Sequence, residues 1–441
     1  MPGGNWTAQN KVLPGVYTNY VGKGSNPSVT GDRGIVALPL VLPWFAEHEI
    51  LKVTQTDAAA IIASLGAAAL PLREAMKNAS SAFLYRLNKG TEASAILANL
   101  SCTALYSGTY GNKISVSIEA APTQAGKFYV ITWLETNEID RQLVGLISQL
   151  KANSYVIFKK AGLEDTLAAT AGTSLKNGSD GTVTNADYVM ALASIETQEV
   201  DAVACMSADI EVKALFTAFA KRMIQDEGKY LQAVVADCAT ADFEGAISVK
   251  NGVYLEDGTH ITNVLATAYI AGATAGCPLT QSLSNSPYGG AVDVDERYTL
   301  TQQTEFAKAG QLVFLPPAAG SNSALIQKDI NTLVTFTNER TYALSKNKII
   351  RTLFAVCKQI DSLGRKYYIG KVGNSASGRD QFKAAILAYF RELEGSGVLR
   401  DVVPEDITIK QGSLIDAVVV DYAIRPIDVM EVFYNTIVVE G

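Results

Sequence analysis

Chemistry in this 441-residue chain would have to come from two histidines, five cysteines and one short acidic run. His48 and His260 lie about two hundred positions apart. Neither adjoins a cysteine or a Gly-x-Ser-x-Gly elbow, so a histidine-activated nucleophile has no local signature. Cys102, Cys205, Cys238, Cys277 and Cys357 are widely spaced and odd in number, with no Cys-x-x-Cys pair. They read as buried, reduced thiols and not as a disulfide frame or a zinc site. Asp293, Asp295 and Glu296 in AVDVDERY could share a divalent cation, but the helix–loop–helix calcium spacing and its distal bidentate glutamate are missing. A solvated loop is the simpler reading, and NGSDG (177–181) is likewise a turn. Gly22-Lys23-Gly24 has neither the spacing of a phosphate loop nor that of a dinucleotide fingerprint. The expectation is no enzyme: no catalytic residues, no metal and no cofactor. The densest basic cluster, Lys346, Lys348 and Arg351 in KNKIIRTL, reads either as a solvated helix start or as a contact for an acidic protein surface.

The composition supports several ordinary globular domains, with 48% hydrophobic and 18% charged residues. Thirty-seven basic against 44 acidic side chains give a net charge of −7. That balance argues against wrapping nucleic acid, which requires a concentrated basic surface. MPGGNWTAQNKVLPG lacks the basic and apolar regions of a secretory signal. The longest uncharged apolar-rich run, Ala58 to Leu72, carries Gly66 and Pro71 and is too short to span a bilayer. A soluble, intracellular chain without a membrane partner is expected.

The elements suggest an α/β and α+β multidomain chain. Residues 1–30 form an extended arm whose prolines and glycines exclude a helix, with a short strand in PGVYTNYVGKG. From composition alone that strand could equally tuck into its own domain. Residues 31–90 and 176–290 read as one α/β domain, opening β–α–α–β. It resumes with a helix near 185–195 and a strand–helix–strand crossover (201–206, 210–225, 231–237) that predicts parallel pairing. A helix rich in Ala, Thr and Gly (261–275) should pack its backbone closely on a neighbour. Between them, 91–175 shifts towards period two in ISVSIE and KFYVITWLE, giving an inserted β-rich module. Leu143, Leu146, Ile147 and Leu150 predict one amphipathic helix there, over 139–150. Residues 291–426 read as a C-terminal α+β domain with strands at 311–315 and 332–336, helices at 349–360 and 379–392, and a hairpin at 406–424.

The chain closes on IDVMEVFYNTIVVEG (427–441), a separate strand that is apolar on both faces. Val432, Tyr434 and Val438 alternate with Phe433, Ile437 and Val439. A terminus this apolar is an aggregation hazard unless its edge is covered by its own domain or by another copy.

Several stretches in order resemble the contractile tail sheath proteins of long-tailed phages and phage-tail-like bacteriocins, especially the compact sheaths of Gram-positive phages and defective prophages. They include PGVY (14–17), DRGIVALPLVLPW (32–44), YSGTYGNKISV (106–116), CPLTQSLSN (277–285), SKNKIIRTL (345–353), YIGKVGNSASGRDQF (368–382) and VVVDYAIRPIDVMEVFYNTIVV (418–439). The resemblance implies a homo-oligomer of sixfold rings stacked helically around an inner tail tube, bounded by baseplate and tail terminator proteins. Such a sheath contracts to drive the tube through a cell envelope, without touching nucleic acid directly. It implies a virion tail or phage-tail-like particle assembled in the host bacterial cytoplasm.

It further implies that both termini are exchanged between subunits. The donated arm is then Val12, Val16, Tyr17, Tyr20 and Val21. The donated C-terminal strand is Val429, Val432, Phe433, Tyr434, Ile437, Val438 and Val439, and the receiving hairpin carries Ile407, Ile409, Val418, Val419 and Val420. Gly22, Gly24 and Pro27 at one end, and Arg425-Pro426 at the other, would be hinges. Lys346, Lys348 and Arg351 become candidates for the tube-facing surface, and the 91–175 module corresponds to an outward-facing insertion. Two other readings remain open: an α/β enzyme with an unrecognised site, and a static tube-forming protein.

Overall fold

The computed structural model describes residues 33–317 and 322–439. The expectations for Val12, Val16, Tyr17, Tyr20 and Val21 lie outside the described residues. The chain divides into two compact units, one built from the described part of Met1–Leu38 with Pro71–Ala82 and Glu196–Gly441, the other from Pro39–Leu70 and Phe83–Ile195.

The second unit carries the β-rich module as two antiparallel sheets. Four strands run in the order Thr170–Ser174, Ile114–Ala120, Phe128–Leu134, Asn137–Val144, and three in the order Glu92–Leu97, Leu100–Ser107, Val156–Lys160. Their alternation sends Ile114, Val116, Ile118 and Val130 from one sheet, and Leu97, Leu100, Cys102 and Val156 from the other, into a shared core with Trp44. The expected helix over 139–150 is not there. Asn137–Val144 is a strand paired with Phe128–Leu134, followed by a single 3-10 turn at Ile147–Gln149. NEIDRQLV also alternates, and seven residues of available partner edge outweigh a four-residue aliphatic helical stripe interrupted by Gly145.

The first unit is built on a parallel sheet. Its strands β1 (Ile35–Leu40), β2 (Ala202–Ala204), β3 (Gln232–Ala236), β4 (Ala246–Val249) and β5 (Gln311–Leu312) lie in that spatial order, each parallel to the next. Every residue of β3 is buried, as a strand flanked on both edges and covered on its faces requires. The 201–237 crossover therefore appears as expected, through α1 (Ile210–Arg222), whose N-cap Asp209 accepts from the Glu211 and Val212 amides. Helix α2 (Asn263–Gly276) is the Ala/Thr/Gly helix. A Cβ at Gly272 would stand 2.1 Å from the Ala75 carbonyl oxygen, and one at Gly276 1.9 Å from that of Asn78, so backbone meets backbone there.

Residues 332–336 do not form the expected strand. The Asp242 carboxylate accepts from the Val334 and Thr335 amides at 2.8 and 2.9 Å, taking donors that a ladder would have used. Helices α3 (Asn347–Leu363) and α4 (Ala376–Gly395) follow, the latter capped by the Ser375 hydroxyl. The hairpin β6 (Ile407–Gln411) and β7 (Val418–Tyr422) closes the unit on a small core of Val356, Ile360, Ile386, Phe390, Leu393 and Ile407. Beyond it, 427–439 has no regular secondary structure.

Candidate functional site

The hairpin is in strict register, with Ile407 opposite Tyr422, Ile409 opposite Val420 and Gln411 opposite Val418. Ile407, Ile409, Val420 and Tyr422 pack on or against the helical core, while Val419 is half-buried and Val418 exposed. Among the described residues this sheet has two strands and no third. Neither outer edge therefore has a ladder partner among the described residues. Strand edges without a ladder partner are where a further strand can add.

The terminal segment has two contrasting parts. From Arg425 to Glu431 it is tied down. Arg425 makes a bidentate pair with Asp406, both bonds 2.6 Å, and the Arg425 carbonyl accepts from the Arg400 amide. Pro426 is buried, and the Ile427 amide donates to the Val398 carbonyl at 3.4 Å. Lys348 Nζ donates to the Ile427 carbonyl, and Lys346 Nζ donates to Asp428 and, at 2.9 Å, to Glu431. Glu431 also accepts from the Ser284 hydroxyl at 2.7 Å.

After Glu431 the side chains turn to solvent. Val432, Phe433, Tyr434, Ile437, Val438 and Val439 are 68 to 95% exposed. Full burial of such a side chain is worth about 1.5–3 kcal/mol. Six of them represent on the order of 10 kcal/mol, comparable with the net stability of a whole domain. Arg425-Pro426, expected as a hinge, is bonded through both backbone and side chain: its backbone bridges to Leu399 and its guanidinium is paired with Asp406. Val429, expected in the donated strand, falls in the anchored part and is half-buried.

The three cations at the start of α3 are not a solvated face. Lys348 and Arg351 are 2% and 1% exposed, and the Lys346 side chain is 13% exposed. A residue with so little surface cannot present a cation to a tube, so that assignment is corrected for Lys348 and Arg351, and Lys346 is already committed to Asp428 and Glu431. Arg351 instead pairs with fully buried Asp329 at 2.7 Å. Burial alone would raise the Asp329 carboxyl, but Arg351 and the Leu283 amide hold it below its usual range. Burial lowers Lys348 to about 8, with Arg351 and Lys346 adding to the effect against Asp428. Lys346 goes the other way, because its bonds to Asp428 and Glu431 outweigh burial. Asp329, Ser284, Asp428 and Glu431 were missed in the sequence. The available signal was the i, i+3 spacing of Asp428 and Glu431 just before an uncharged run.

The remaining chemical candidates are paired off or inert. His260 Nε2 lies 3.2 Å from Asp295, and Asp293 pairs with Arg297 at 2.8 Å. No cluster able to hold a metal occurs among the described residues. Cys102, Cys205 and Cys357 are buried, and burial pushes their thiols up to about 12, far from a nucleophilic thiolate.

Comparison with known proteins gives a consistent result. Three family models match: the phage tail sheath protein beta-sandwich domain over residues 88–180, the central domain over 181–332 and the C-terminal domain over 339–440. The phage-like element PBSX protein XkdK of Bacillus subtilis is 35% identical, covering 98% of this chain and 99% of its own. The crystal structure of a sheath tail protein from Desulfitobacterium hafniense superposes with a TM-score of 0.84 at 38% identity, over 94% of this chain and 97% of that one. The helical sheath of the anti-feeding prophage in its contracted state shares the fold, with a TM-score of 0.56 at 13% identity over 98% and 100% of the two chains.

Proposed function

The chain belongs to the phage tail sheath protein family, a structural and not an enzymatic family, and from that premise we propose that it is the subunit of a contractile sheath. Subunits polymerise as stacked rings of six around an inner tail tube, between baseplate and terminator proteins. The sheath shortens to drive the tube through a bacterial envelope. The particle is a virion tail or a phage-tail-like particle assembled in the host cytoplasm. The observation that carries this reading is the pairing of an open-edged hairpin with an apolar terminal segment that leaves its own subunit uncovered. Strand addition satisfies both at once, with main-chain hydrogen bonds supplying affinity and alternating side chains fixing register. The N-terminal arm, including Val12, Val16, Tyr17, Tyr20 and Val21, would add to the other edge, and the 91–175 module would face outward.

With Lys348 and Arg351 buried, one surface suited to a partner of opposite charge is the connection from α3 to α4. Residues 364–383 hold Arg365, Lys366, Lys371, Arg379 and Lys383 against one acid, Asp380, in a chain of net charge −7. Lys366 and Lys371 are exposed. This surface would suit an acidic tube, and raised salt should weaken that contact.

The test is electron microscopy of the purified protein. The full chain is expected to form hollow tubes, whereas a chain lacking Val432–Gly441 stays folded and does not polymerise. Normal tubes from the truncated chain would sink strand exchange. Tubes of one fixed length and diameter under every trigger would favour a static tube.

A further inference from the structure

We propose that Lys346, Lys348 and Ser284 are positioning residues for assembly: they anchor 427–431 so that the exchanged segment pivots at Glu431–Val432 and not at Arg425-Pro426. This rests on the strand-exchange reading above.

Ser284 ties the anchor to the interior of the unit. Its hydroxyl donates to Glu431 and also accepts from the Asp329 amide at 2.9 Å. The Asp329 carboxylate accepts from Arg351 at 2.7 Å and from the Asn347 side chain at 3.0 Å, both on the first turns of α3. Lys346 stands immediately before that helix and reaches both acids of the segment. One buried network thus holds the helix start, the 281–284 loop and the terminal segment together. The Lys346, Asp428 and Glu431 side chains are 13, 27 and 15% exposed, so these are charge-assisted bonds in a largely water-excluded site, where they are screened less by salt than surface pairs.

The consequence is geometric. A flexible tail starting at Arg425 could reach in many directions and slide along a neighbour's edge by two residues without changing faces. A tail that starts at Val432 spans only about 33 Å when extended, at about 3.3 Å per residue for the ten residues to Gly441. Its origin and starting direction are set by the subunit that donates it. Fixing the origin restricts which neighbour is reached and in which register.

Amide hydrogen exchange and tube formation of the full-length chain test this together. In Lys346→Ala, the Ile427–Glu431 amides are expected to exchange at least tenfold faster while α3 stays protected. Tubes should shorten several-fold, and Lys346→Arg should restore most of their length. Ser284→Ala, which lies outside α3, should act in the same direction and serves if Lys346→Ala does not fold. Unchanged exchange at 427–431 in both alanine variants overturns the anchor. So does lost protection with tubes of wild-type length, which would leave strand exchange standing. A wild-type chain that never polymerises defeats the sheath reading itself, and the positioning role with it.

Discussion

Strand β3 and the terminal segment 432–439 are both short, apolar and free of glycine and proline, yet they lie at opposite ends of the burial scale. Every residue of β3 is buried between β2 and β4, whereas every residue from Val432 to Val439 is exposed. Sequence character is nearly the same. The difference is whether the chain supplies partner edges of its own. The parallel sheet provides them, β2 through the α1 crossover and β4 through the 237–245 connection, whereas among the described residues neither the hairpin β6–β7 nor the terminal segment has a further strand beside it. Apolar strand-like sequence therefore marks a place where backbone pairing is needed without saying which molecule provides it.

Proline substitution should separate the two cases most sharply. Val234→Pro in β3 removes a ladder donor in a sheet interior and is expected to unfold the unit, since an interior proline costs roughly 3 kcal/mol or more before packing losses. Val432→Pro with Tyr434→Pro removes two donors from a segment that has no regular secondary structure among the described residues of its own subunit. Stability should then stay within about 0.5 kcal/mol of wild type, as for surface sites, while tube formation is lost. Denaturant midpoints and electron microscopy of the same preparations read both effects. Unchanged tubes from the double proline variant would mean that the terminal segment is not paired between subunits.

Much of the fold was legible because its signals are local. The 201–237 crossover, the hairpin at 406–424 and the helix at 185–195 follow from periodicity, caps and breakers, and stand within a few residues of expectation. The helix expected at 139–150 failed because the same residues satisfy two periods, and only the long-range availability of Phe128–Leu134 decides between them. The strand expected at 332–336 lost its donors to Asp242, some ninety residues away. Lys346, Lys348 and Arg351 looked like a surface patch because burial of a cation depends on its counter-ions. Those counter-ions, Asp329, Asp428 and Glu431, lie on other segments. The site was thus readable as open strands and unreadable as an anchor.

The next largest effect concerns what fixes the platform under the terminal segment. Arg351→Met should destabilise the unit by about 3–5 kcal/mol, because Asp329 is left as a buried charge without its cation. Arg351→Met with Asp329→Asn removes both charges and should recover most of that loss, as double-mutant cycles of buried pairs commonly do. The two denaturation midpoints give the coupling directly. If the double variant is as unstable as the single one, the pair matters for its hydrogen bonds to Leu283 and Asn347 and not for its charge.

The smallest effect lies at the border of the two regions, at Lys348. Its pKa of about 8 sits below the ordinary lysine value of 10.5. Between those two values the unfolded chain carries a proton that the folded chain has released, so stability rises with pH across that window. Below about pH 8 both states are protonated and the full cost of burying the ammonium applies. Lys348→Met removes the charge at similar length. It should therefore be more stable than wild type at pH 7, by about 3 kcal/mol at most from a shift of this size. That advantage should shrink towards pH 10, where wild type no longer buries a charge and only the variant lacks the bond to the Ile427 carbonyl. Comparing the variant with wild type at each pH cancels the titration of every other group. A difference that stays constant from pH 7 to pH 10 would mean that Asp428 compensates the ammonium fully, and that the anchor costs the subunit nothing to maintain.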